Sequence, residues 1–110
     1  MQVYVDANPK QYAIVVPTRA TNKVVIGNVP VGSTNNESEY LGVIAALETL
    51  KDVTEVLSDS QLIVRQLNHE YHIKEDRLRE LAKKVWALAD GKVVFTWIPR
   101  KENKAGKVLG

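Results

Sequence analysis

The 110-residue chain contains no cysteine. This excludes a disulfide framework, cysteine-ligated zinc, iron–sulfur clusters and thiol nucleophiles, and it leaves a cytoplasmic location as the expectation. Long apolar runs are also missing, since the longest aliphatic stretch, Ala13–Val16, falls far short of a membrane span. At the N-terminus, MQVYVDANPKQ has no basic segment leading into an apolar one, so no secretory leader is expected. Internal repeats and low-complexity tracts are absent as well. What is present, 45% hydrophobic and 25% charged residues, is the composition of one soluble domain spanning 1–110. A chain of this length can bury a core without a covalent or metal staple.

The net charge of +2 hides an uneven distribution. Residues 1–73 carry 5 Lys+Arg against 8 Asp+Glu, whereas residues 74–110 carry 10 against 5. An acidic part beside a basic part suits a metal-dependent enzyme acting on a polyanion, although a solvated helix face produces the same imbalance.

Three alternating, β-branched segments open the chain: Gln2–Asp6, Tyr12–Pro17 and Val24–Val31. Their short Asn/Pro/Thr/Lys links predict antiparallel hairpins, and Pro30 places the third strand at an edge or at its end. Tyr40, Val43, Ile44, Leu47 and Leu50 then recur at helical spacing, predicting a helix over about 36–50 capped by Thr34 or Asn35. A strand at Thr54–Leu57 follows, as expected of a parallel crossover. Further helices are predicted over about 60–68 and 75–89. A fifth strand is expected at Lys92–Ile98, and a short helix within Lys101–Gly110. The order β-β-β-α-β-α-α-β-(α) specifies an α/β fold with a mixed sheet of five strands, antiparallel first and parallel later, flanked by helices.

Three acids hold related positions. Asp6 closes the first strand, Glu39 lies in the first turn of the first helix, and Asp59 follows the fourth strand. Singly, each reads as a turn former or helix cap. Together they point elsewhere, because ligands of α/β sheets collect at strand carboxyl ends, and two parallel neighbours would bring Asp6 and Asp59 together there. Glu39 shares a helix side with Val43 and Ala46 and so faces the sheet. Converging carboxylates require a cation, and hard oxygen ligands without Cys or a nearby His select Mg²⁺ or Mn²⁺. Such a site suits phosphodiester hydrolysis.

The segments VYVDA around Asp6, STNNESEYLGVIAALE from Ser33, LSDSQLIVRQL from Leu57 and WIPRKEN from Trp97 resemble the type 1 ribonucleases H, over essentially the whole chain. That resemblance implies a ribonuclease H-like fold and metal-dependent hydrolysis of the RNA strand of an RNA–DNA hybrid. It implies metal-binding, catalytic roles for Asp6, Glu39 and Asp59. Nucleic-acid contacts are implied for Thr34, Asn35, Asn36 and Gln61 and expected for Arg100, Lys101 and Asn103, on a chain that acts as a monomer or weak dimer. Polar groups of this kind suit hybrid recognition, which reads phosphates, groove shape and 2′-hydroxyls.

The departures carry equal information. The fourth acid of the family, expected after Asn103 in a pattern resembling N-x-x-A-D, is replaced near Gly106; Glu102 is the nearest other acid. Ala7 stands in place of the usual glycine, and Arg100 and Lys101 occupy a loop where many members carry a histidine. A separate basic helix is missing, so substrate binding would fall to Arg79, Lys83, Lys84, Arg100, Lys101, Lys104 and Lys107. The alternative reading is therefore a catalytically weak or inactive domain of this class that binds nucleic acid or protein. Elsewhere, His69 and His72 read as surface or packing residues. Trp86, Trp97 and Tyr40 read as core, and Arg65 fits either a phosphate contact or a solvated helix face.

Overall fold

A computed structural model describes residues 1–110 as a five-stranded sheet with helices on both faces. The strands are β1 (Gln2–Ala7), β2 (Gln11–Pro17), β3 (Asn22–Asn28), β4 (Glu55–Ser58) and β5 (Val94–Trp97). Their spatial order is β3-β2-β1-β4-β5, with β1–β2 and β2–β3 antiparallel and β1–β4 and β4–β5 parallel. The mixed α/β architecture expected above is the one observed.

Period-two alternation divides the strand side chains between two faces. Val3, Val5, Ile14, Val16, Val56 and Phe95 meet helices α1 (Asn35–Thr49), α2 (Gln61–Leu67) and α3 (Asp76–Ala89) in the main core. α1 contributes Tyr40, Val43, Ile44 and Ala46 to it, and α3 contributes Leu78, Leu81, Ala82, Val85 and Ala89. Tyr40 is fully buried as expected, and its hydroxyl donates to Gln66 Oε1 at 2.8 Å. α1 packs unusually close to the sheet at Gly42, where a methyl group would lie 2.9 Å from Val5 Cγ1 and 3.0 Å from Tyr12 Cβ. The opposite face is thinly covered: Ala13 and Val15 pack with Ala105, flanked by Tyr4, Val108 and Leu109, the last two from the short helix α4 (Gly106–Leu109). No helix is long and apolar enough to cross a membrane.

Helix starts follow the local chemistry. Thr34 caps α1 through a reciprocal capping box with Glu37, which decides between the two candidate caps. Ser60 caps α2 by accepting from the Ile63 amide. Two sequence expectations need correction. The third strand does not continue to Val31; it ends at Asn28. The Val29 amide turns to the Lys10 carbonyl, and Pro30, which has no N–H, opens a turn closed by Ser33. Trp97 is not a core residue: it is 43% exposed, because it lies on the Phe95 side of β5 but at the strand's last position. Trp86 is partly buried, stacked on His69 with ring centroids 4.4 Å apart, and its Nε1 donates to the Leu67 carbonyl.

Candidate active site

Parallel pairing of β1 with β4 puts Val5 opposite Ser58, so the residues that follow, Asp6, still paired with Ala13 of β2, and Asp59, just past the end of β4, come side by side. Glu39 reaches the same point from the first turns of α1. One carboxylate oxygen from each of the three acids lies within 4.8 Å of the others. They line a polar recess of about 360 Å³ together with Ala7, Asn8, Asn35, Ser60 and Arg100.

Glu39 is only 2% exposed. Its Oε1 accepts from Ser58 Oγ at 3.0 Å, and Ser58 Oγ in turn accepts from the Ser60 amide at 3.1 Å, tying the acid to the β4–α2 turn. Its Oε2 has no hydrogen-bond partner although it is buried. Burial, followed by the negative charge of Asp6, pushes the Glu39 carboxyl up to about 8 against the Ser58 hydrogen bond. Asp6 is also raised, by burial first and by Asp59 second, while the Ala7 amide and the Arg100 guanidinium oppose the shift. Like charges held together in a partly dry site, one of them with an orphaned oxygen, form a donor set that a divalent cation satisfies. The three carboxylates therefore fit a hard divalent metal.

The remaining sequence-predicted residues divide. Asn35 and Arg100 line the recess with the acids. Thr34 and Gln61 are exposed beside it, next in sequence to Asn35 and Ser60; Asn36 is half-buried, and Lys101 is exposed beside Arg100. Asn103 departs from expectation. It is fully buried, its Nδ2 donates to the Val5 carbonyl at 2.9 Å, and its Oδ1 accepts from the Ala105 amide. Both polar ends are spent inside the chain, so Asn103 anchors the C-terminal segment beside Asp6 and does not reach a nucleic acid.

Gly106 does face the site. A methyl group built there would lie 3.4 Å from Asp6 Oδ2. Position 106 thus points a side chain at the acid cluster, but in this chain it supplies none. Glu102 is exposed and outside the cluster. Sequence reasoning missed Ser58, whose hydroxyl holds Glu39, and Asn8, read only as part of a hairpin link. The Asn8-Pro9 pair, two residues after Asp6, was the available signal for the latter.

The family profile described as reverse transcriptase-like matches residues 10–109. Ribonuclease H1 from the archaeon Halobacterium salinarum NRC-1 superposes with a TM-score of 0.80 at 27% identity, covering 98% of this chain and 92% of that one. The chain belongs to the type 1 ribonuclease H family. LC11-RNase H1, in a structure with an RNA/DNA hybrid, matches with a TM-score of 0.79 at 26% identity, covering 99% of both chains. The bifunctional protein Rv2228c of Mycobacterium tuberculosis is 35% identical over 89% of this chain. This ribonuclease H chain spans only 29% of that relative's length.

Proposed function

We propose that this domain, residues 1–110, hydrolyses the RNA strand of RNA–DNA hybrids as a divalent-metal-dependent endoribonuclease. The observation that carries the reading is the meeting of Asp6, Glu39 and Asp59 within 4.8 Å in one recess of a ribonuclease H fold. Its support includes the ribonuclease H1 relatives, one of them in complex with an RNA/DNA hybrid.

In this reading Asp6, Glu39 and Asp59 hold Mg²⁺ or Mn²⁺. The metal supplies activation of a water molecule and neutralises charge that develops on the phosphate and the leaving oxygen. The protein's own groups then orient the substrate. Asn35, with Thr34, Asn36 and Gln61 around it, offers polar groups to the sugar and phosphate of the minor groove, where the 2′-hydroxyl distinguishes RNA from DNA. Arg100 sets a fixed cation at the rim of the recess, and Lys101 adds charge beside it. With no histidine lining the recess, proton transfer to the leaving group falls to solvent. The lack of cysteine fits work in a reducing compartment such as the cytoplasm.

The deciding experiment is cleavage of a labelled hybrid in Mg²⁺ and in Mn²⁺, with Asp6→Asn alongside. RNA-strand cleavage that falls at least about 100-fold in the variant, or about 2.7 kcal/mol of transition-state stabilisation, is the expected result. Gly106 motivates a second reading, in which the domain binds hybrids but cleaves them weakly or not at all. Saturable hybrid binding without cleavage in either metal would establish that reading in place of the first.

A further inference from the structure

The two tryptophans of the chain have opposite environments. Trp86 is partly buried in the helical layer, stacked on His69. Trp97 stands at the carboxyl end of β5, 43% exposed, in register with Ser58 of β4. Its Nε1 donates to the carbonyl of Asp59 at 3.1 Å, and the amide of the following residue, Ile98, donates to the Ser58 carbonyl at 2.9 Å. The indole is therefore fixed at one edge to the backbone of a metal-ligand candidate, while part of the ring remains open to solvent.

An exposed tryptophan costs solvation, and its N–H would be satisfied equally well by water. Holding it rigidly beside the recess makes sense if the open part of the ring has its own contact. Nucleic acids supply one that does not depend on sequence, because every base and every sugar has an apolar face, and stacking on a fixed aromatic is sequence-tolerant. We propose that Trp97 is a substrate-contacting residue: its ring supports a sugar or base of the bound nucleic acid at the Asp59 edge of the site, while its N–H steadies the Asp59 peptide. This rests on the hybrid reading above. It adds an apolar contact on the β5 side of the recess, near the Arg100 cation, to the polar contacts offered from the α1 side by Asn35.

The test uses an Asp6→Asn background, which prevents cleavage during titration. In that background Trp86→Phe leaves Trp97 as the sole tryptophan, and its emission is followed against a fluorescein-labelled RNA–DNA hybrid whose anisotropy reports binding independently. Emission should change saturably along the anisotropy curve. With Trp86 restored, Trp97→Ala should weaken binding roughly tenfold, in the range of one stacked base, whereas Trp97→Phe, which keeps an aromatic ring without the N–H, should stay within about twofold. Silent emission through a saturated anisotropy curve overturns the proposal. So does a loss in Trp97→Phe equal to that in Trp97→Ala, since the N–H alone would then explain it. If Trp97→Ala fails to fold, the emission and Trp97→Phe arms still decide. Flat anisotropy would remove the hybrid reading and this inference together.

Discussion

The two faces of the sheet are built to different standards, and the candidate site straddles them. On the helical face, nineteen buried residues, eighteen from α1, α2, α3 and four strands plus Ile73 of the α2–α3 link, form one continuous core. On the other, three buried residues and the four-residue helix α4 do the covering. Glu39 comes from the thick side, held by Ser58 in a helix that approaches the sheet closely enough to need Gly42. Asp6 lies at the end of β1, with Gly106 of the thin side directed at it. The departure from the family's acid pattern falls on the thin side, where changing a side chain risks little of the fold. The thick side keeps its acid although that acid is costly to bury.

That cost gives the largest expected effect. An unfolded glutamate titrates near 4.5, whereas Glu39 in the fold is held up to about 8. Between these values the folded state keeps a proton that the unfolded state has lost. Glu39's contribution to the stability of the metal-free protein is therefore complete below about 4.5 and is lost as pH rises toward 8, by an amount on the order of a few kcal/mol. The Tm in EDTA should fall across that window, and Glu39→Gln should flatten the slope. Stabilisation by Mn²⁺ should grow over the same range, because the cation takes the place of the proton. A Tm in EDTA that rises with pH would contradict the assignment of Glu39 as the strained acid.

Next in size is a truncation within the thick core. Leu81→Ala removes a side chain that is 4% exposed and should cost about 3 kcal/mol in denaturant unfolding. The Mn²⁺-induced rise in Tm should survive, since α3 contributes no acid to the site. Asn103→Ala, on the thin side, should behave in the opposite way. It leaves the Val5 carbonyl and the Ala105 amide without their partners, costing about 2 kcal/mol. It should also shrink the Mn²⁺ response, because the strand end that carries Asp6 loses its anchor. Equal Mn²⁺ responses in the two variants would abolish the distinction between the faces.

The thick side was also the more legible in the sequence. Helical spacing from Tyr40 to Leu50, β-branched alternation and the Thr34/Asn35 cap candidates are local signals, and local physics produced those elements. The acids were legible because parallel pairing of two strands, one with an Asp next to its last residue and the other with an Asp just beyond it, leaves the two acids little freedom. The failures were all decided by tertiary extent. Alternation correctly assigned Trp97 to the side of Phe95, but alternation carries no information on where the helical cover stops. Val29 and Val31 continue a strand-like pattern after the ladder has ended at Asn28. Asn103 carries the residue type of a ligand contact and serves as a buried strut, a difference visible only once Val5 is its neighbour.

The smallest effect is the sharpest test of the thin side. Gly106 is the first residue of α4 and its φ is not positive, so a side chain meets no backbone strain there. A Cβ at 3.4 Å from Asp6 Oδ2 makes ordinary contact, and a carboxyl beyond it would become a fourth acid around the same recess. In EDTA, Gly106→Asp should lower Tm, since another like charge joins a cluster that already raises Asp6 and Glu39. In Mn²⁺ the order should reverse, with a higher Tm than the parent and hybrid cleavage increased about tenfold, or about 1.4 kcal/mol. A Tm lowered equally with and without Mn²⁺, and no gain in cleavage, would mean that a carboxyl at 106 adds repulsion without sharing the ion. The thin face would then limit activity through the geometry of α4, and the missing side chain would not be its cause.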